Sequence, residues 1–249
     1  MRPGALLVAV PFVIALGAFS SQERSRSATA AGPDDVAGST FVADSPFASW
    51  RRPDGPVRVA LQAGHWKAAE APDEQAGLRA NGTRGRGRAE WEVNLDIARR
   101  MARLLEAEGY AVDILPTTIP PGYWADAFIA IHADGNTSPT ASGYRAAAPR
   151  RDRTGRAEEL VAMLHETYGA ATGLPRYPTI TRRMRGYYAF NSRRYTHALH
   201  PMTVGVILET GFLTSARDRR ILVGAPDRAA RGIADAVVRF LGPVAEPAS

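Results

Sequence analysis

Phe128-Ile129-Ala130-Ile131-His132-Ala133-Asp134 is a short apolar run that delivers a histidine and then a carboxylate at its end. Two other segments repeat the arrangement. Val57 to His65 is an apolar run closing on Gly64 and a histidine, and Val204 to Glu209 is one closing on a carboxylate. Apolar runs of this length, separated by helical patterns, read as buried strands of a largely parallel sheet. In open α/β sheets ligands bind beyond the carboxyl ends of such strands. If the three strands are parallel neighbours, His65, His132 and Glu209 emerge on one rim.

The elements between them fit that reading. Residues 66–89 are rich in Gly, Ala and Arg without an apolar period, and a loop this long inside a compact domain is usually functional. A helix is expected over 90–108, with Trp91, Leu95, Ala98, Ala102 and Leu105 as its buried stripe and Gly109 as its stop. Ala111 to Leu115 reads as the second strand, and Ser142 to Ala147 as a further one of alternating character. Arg156 to Ala171 is expected to be helical, with Leu160, Val161, Leu164 and Tyr168 inward and His165 on the surface. Residues 174–203 read as irregular, aromatic and basic. After strand 204–209 come a short helix near Ala216 to Leu222 and a closing helix from Asp227 to Phe240. The alternation predicts an α/β three-layer domain, a mostly parallel central sheet flanked by helices.

The chain has 249 residues and 45% hydrophobic content, enough for one good-sized core. It holds no cysteine. Disulfides, thiolate nucleophiles and Cys-ligated zinc are therefore excluded, and any metal must be held by histidine and carboxylate. Residues 1–21 combine Arg2, an apolar run and a small-residue end, and read as a secretory signal peptide, an uncleaved anchor being the alternative. Residues 22–50 read as a flexible linker, 51–243 as the folded domain and 244–249 as a tail. Once the leader's +1 and the linker's −2 are set aside, the formal +6 of the chain leaves +7 on residues 51–249. Such a domain is drawn to polyanions, but no nucleic-acid-binding pattern accompanies the charge, so no nucleic-acid partner is expected.

Three strand ends supplying His, His and Glu, with a glutamate opening the intervening helix, point to chemistry. Two histidines and a carboxylate bind zinc and leave a position for water, and a second carboxylate then serves as proton carrier.

Ala63-Gly64-His65, Glu90-Trp91-Glu92-Val93-Asn94-Leu95, Ile129 to Asp134 and Val206 to Leu213 resemble, in order, the four motifs of the zinc-dependent N-acetylmuramoyl-L-alanine amidases. The resemblance covers roughly residues 57–242. It implies hydrolysis of the amide joining the lactyl group of N-acetylmuramic acid to the L-alanine of the peptide stem, with peptidoglycan as partner, an exported, cell-wall-associated location and no membrane span in the mature protein. It makes His65, Glu90 and His132 zinc ligands and Glu209 the catalytic carboxylate. Glu92 stands only two residues from Glu90, and the helical period does not separate them; the register of the motif selects Glu90.

Trp66-Lys67 after the first histidine and Leu115-Pro116-Thr117 after the second strand depart from the pattern. Tyr188, Asn191, Arg193 and Arg194, in the aromatic and basic stretch, are expected to contact the stem. The need for an activator protein stays open. Two other readings are kept: a zinc cell-wall peptidase using His197 and His200 as extra ligands, and a wall-binding module without catalysis.

Overall fold

A computed structural model describes residues 47, 49–138 and 140–244. The expected signal peptide, nearly all of the linker and most of the tail lie outside the described residues. Strand β1 (Arg58–Ala63) is followed by two 3-10 turns and a small hairpin, β2 (Arg84–Gly85) and β3 (Arg88–Ala89). Helix α1 (Glu90–Ala107), β4 (Ala111–Leu115), β5 (Ala127–Asp134) and β6 (Arg145–Ala147) come next. Then follow α2 (Ala157–Thr172), the single turn α3 (Arg182–Arg185), β7 (Val204–Phe212), α4 (Ala216–Leu222) and α5 (Pro226–Leu241).

The main sheet has the order β4-β1-β5-β7-β6. Strands β4, β1, β5 and β7 are parallel, and β6 pairs antiparallel with β7. The three strands expected to be parallel neighbours are so, and their carboxyl ends share one rim. The strand expected over Ser142 to Ala147 is shorter, because Gly143 and Tyr144 turn aside to bond Asp218 and Pro175.

One face of the sheet packs Val59, Leu61, Ile129, Ile131, Val206 and Leu208 against α1, α2 and α5. Helices α2 and α5 approach closely at Gly232, where a Cβ would lie 2.9 Å from the backbone of Tyr168. The other face, with Ala60, Phe128, Ala130 and Ile207, is covered by Met184, Tyr188, Ala189 and Leu199 from the irregular 174–203 segment. That segment is irregular as expected, apart from α3 and a 3-10 turn at Tyr188–Phe190. Among the described residues no helix is long and apolar enough to cross a membrane.

Leu95, Ala98, Ala102 and Leu105 of the expected α1 stripe are buried, and Trp91 is the member that is not. Trp91 is 41% exposed, while Glu90, Asn94, Ile97, Ala98, Met101 and Leu105 are buried. A stripe traced through apolar residues alone misses its own beginning here, because its first turn is the polar pair Glu90 and Asn94.

His165 is half-buried rather than a plain surface residue: its ring packs 5.7 Å from that of Tyr144, and neither ring nitrogen has a partner among the described residues. Burial, with Arg176 nearby, holds its pKa down to about 4. An unfolded histidine titrates near 6.5, so the neutral ring's contribution is complete above that pH and is lost as pH falls toward 4. His165→Gln should therefore gain on the wild type in melting temperature between pH 6.5 and 4. Parallel melting curves across that range would refute this.

Candidate metal centre

The site is built on one row across the sheet. The backbone N–H of Gly64, just past β1, donates to the carbonyl of Ile131 at 2.9 Å, which places Gly64 beside His132. His132 on β5 is in register with Glu209 on β7, and Glu209 with Arg145 on β6. Side chains paired in register share a face, so imidazole, carboxylate and guanidinium stand side by side. Gly64 leaves the fourth place clear for the His132 ring. A Cβ there would lie 2.4 Å from that ring. His65 follows with φ +64, an uncommon conformation for a residue with a Cβ, and its ring meets that of His132 edge-on at 5.0 Å.

Glu90 enters from the first turn of α1. Its Oε1 lies 3.1 Å from His132 Nδ1 and 3.3 Å from His65 Nε2, and accepts the Ala133 amide at 3.1 Å. Its Oε2 accepts the Thr83 amide at 2.8 Å. Asn94, one turn on, donates to the Gly64 carbonyl at 3.1 Å and so ties α1 to the end of β1. Behind His132, the Thr210 hydroxyl donates to its carbonyl at 2.7 Å, and the Tyr168 hydroxyl donates to the Thr210 carbonyl at 2.7 Å.

The electrostatics follow from this packing. Burial pushes the Glu90 carboxyl up, but the bond with His132 and the nearness of both histidines prevail and hold it below the usual range. Burial lowers His65, with His132 adding to that and Glu90 opposing it. His132 is also pushed down by burial, yet Glu90 and Glu209 raise it above its ordinary value. Burial lifts Glu209 to about 8, with neighbouring Glu90 and Asp134 adding to the rise and His132 opposing it. Arg145 pairs with Asp134, donates to the Thr179 carbonyl at 2.9 Å and lies over the rings of Tyr177 and Phe212.

His65, Glu90 and His132 can hold a metal ion: one ligand atom from each lies within 4.8 Å of the others. The buried His65 Nδ1 and Glu209 Oε2 have no hydrogen-bond partner among the described residues. Unpaired buried polar atoms around a His-Glu-His trio suit a cation, which repays the cost of gathering these groups out of water.

The four residues expected at the rim are thus together, in a cleft of about 710 Å³ also lined by Thr83, Arg145, Arg183 and Tyr187. Glu92 turns away to accept the Ala89 amide at 2.7 Å. The expected substrate contacts lie elsewhere. Tyr188 is buried, and its hydroxyl accepts from Gln62 at 2.6 Å and donates to the Thr117 carbonyl. Asn191 and Arg193 line a separate cavity, and Arg194 lies over the Tyr195 ring. The 3-10 turn that begins at Tyr188 carries the chain away from the cleft, leaving Tyr187 as that stretch's contribution.

His197 and His200 are not at this rim either. His197 Nδ1 binds Glu74 at 2.6 Å, and His200 stacks on Trp50 at 5.7 Å. Arg145, Arg183 and Asn94 were missed. A lone arginine opening an otherwise apolar strand was the signal for the first.

The fold is shared with solved amidases. AmiC2, the N-acetylmuramoyl-L-alanine amidase of Nostoc punctiforme, is similar with TM-score 0.54 and 20% identity, over 76% of this chain and 99% of its own. The apo form of Ami1 from Mycobacterium abscessus gives 0.54 and 19%, over 74% and 98%. The catalytic domain of CwlV from Bacillus (Paenibacillus) polymyxa var. colistinus gives 0.50 and 21%, over 74% and 97%. No curated protein sequence matches the chain. The sequence profile described as N-acetylmuramoyl-L-alanine amidase matches residues 59–239, most of the chain, and on that match the protein belongs to the N-acetylmuramoyl-L-alanine amidase family.

Proposed function

We propose that residues 51–243 form a zinc amidase that cuts the bond between N-acetylmuramic acid and the L-alanine of the peptide stem in peptidoglycan, with His65, Glu90 and His132 holding one zinc ion and Glu209 carrying the proton. The observation that supports this most is the pairing of the His-Glu-His trio with an unpartnered, buried carboxylate in the adjoining strand. Zinc, when bound, supplies Lewis acidity toward water and the amide carbonyl.

The chain's own residues do the rest. Glu209 accepts the proton of the attacking water at its free Oε2 and passes it to the departing nitrogen. Its burial, which favours the protonated form, suits a group that must give the proton back. Tyr187, whose ionisation is pushed well above the ordinary phenol range by burial and the neighbouring Tyr188, stays a hydrogen-bond donor and bonds Gln62 at 2.8 Å. Asn94 and the Thr83 and Ala133 amides fix the Glu90 carboxylate. Such a substrate lies outside the cytoplasmic membrane, in keeping with residues 1–21 as an export signal.

The peptidase reading weakens because His197 and His200 have other partners away from the cleft. Mass spectrometry of muropeptides incubated with the zinc-loaded protein should find sugar chains and free peptides beginning with L-alanine, lost on chelation and restored by zinc. Peptides cut internally, with the sugar-linked alanine intact, would replace the assignment with a peptidase; unchanged muropeptides with tight sacculus binding would replace it with a binding module.

A further inference from the structure

His132 Nε2 opens onto a chain of hydrogen bonds whose protons can be counted. Gln62, on β1, donates through Nε2 to the Thr117 carbonyl at 2.7 Å and to the Tyr188 hydroxyl at 2.6 Å, with the Pro116 carbonyl at 3.3 Å. A carbonyl can only accept, so the amide faces this way round and Oε1 is the end turned to Tyr187. The Tyr187 hydroxyl has one proton, and it goes to that Oε1 at 2.8 Å. Its oxygen then meets His132 Nε2 at 3.3 Å with lone pairs only, which suits a ring that carries its proton on Nε2. The other nitrogen, Nδ1, stands 3.1 Å from Glu90 Oε1, where the ligand atoms gather. In a neutral imidazole the bond made by one nitrogen decides which nitrogen is left bare for a metal.

Taking the proposed zinc site as its basis, we propose that Gln62 and Tyr187 are positioning residues that hold His132 in its Nε2–H form, so that Nδ1 is the nitrogen free for the metal. Gln62 is buried and, among the described residues, bonds no metal ligand itself. It acts through Tyr187. Without Gln62 the tyrosine proton turns to Nε2, and the ring's own proton moves to Nδ1, where Glu90 accepts it in the metal's place. Without the Tyr187 hydroxyl, Nε2–H loses its acceptor and the same shift follows. Outer partners of metal-bound histidines fix the ring's tautomer and orientation in this way, and losing one costs about 10- to 100-fold in metal affinity.

The test is nitrogen NMR of the metal-free protein labelled in its histidines, at a pH where the His132 ring is neutral, joined to zinc affinity measured by competition with a chelator. The His132 signals are those absent from His132→Gln. In the wild type the His132 proton should sit on Nε2. Gln62→Met and Tyr187→Phe, their folding checked by melting curve, should each move it to Nδ1 and weaken zinc binding by about 10- to 100-fold. A merely structural role for these side chains would lower the melting temperature without moving the proton. A wild-type ring protonated on Nδ1, or variants that keep the wild-type tautomer or the wild-type zinc affinity, would overturn the proposal. The expected tautomers in a wild type that takes up no zinc would leave the hydrogen-bond relay standing and remove the zinc assignment.

Discussion

Glu209→Gln should keep its zinc and lose turnover by about 10² to 10⁴, the usual contribution of a positioned general acid-base group. The amide fills the same space but cannot take a proton from water and return it to nitrogen. Folding should not suffer. Burial already lifts the Glu209 carboxyl to about 8, so at neutral pH the metal-free fold holds it mainly in the uncharged form that glutamine imitates. The metal-free variant should therefore melt no lower than the metal-free wild type at pH 7. Metal analysis, melting and peptide release on one preparation decide the matter. Turnover near the wild-type level would remove Glu209 from the mechanism.

Glu90→Ala should lose both zinc and activity, while Glu92→Ala keeps both. Oε1 of Glu90 lies within 3.3 Å of both histidine rings. The substitution also strips the Thr83 and Ala133 amides of their acceptor, at about 1–3 kcal/mol for each donor left buried and unpaired. Among the described residues Glu92 accepts only the Ala89 amide at the start of α1, so its loss costs about 1 kcal/mol of helix capping. Zinc retained by Glu90→Ala and lost by Glu92→Ala would reverse the assignment.

The rim was legible because a buried parallel strand is a run of apolar residues, and whatever ends the run stands at the sheet's carboxyl edge. His65, His132 and Glu209 could be placed that way without knowing any contact. Glu90 needed the motif's register. Had Asn94 been counted into the α1 stripe, the helical period would have chosen Glu90 unaided, since the two are one turn apart and both buried. The cleft's other wall was not legible. Residues 174–203 have no period to follow, and the 3-10 turn at Tyr188–Phe190 separates Tyr187 from its neighbours by a local bend that composition does not announce. Arg145 reached the site through a strand that was expected, but its antiparallel pairing beside Glu209 could not be read from so short a run.

Glu74 lies in the long loop after His65 and accepts the Thr196 amide at 2.9 Å, the His197 amide at 3.0 Å and His197 Nδ1 at 2.6 Å, bonds that bring its pKa down to about 2. Gln75 adds a bond to the His197 carbonyl at 3.2 Å. Two segments some 122 residues apart in the chain are therefore bonded into a single part. For recombination between relatives, a crossover that imports the 66–89 loop alone would strand the amides of residues 196 and 197 without an acceptor. Swaps should succeed when both segments come from one parent, so the unit of exchange in this family member is a pair of loops rather than a stretch of sequence.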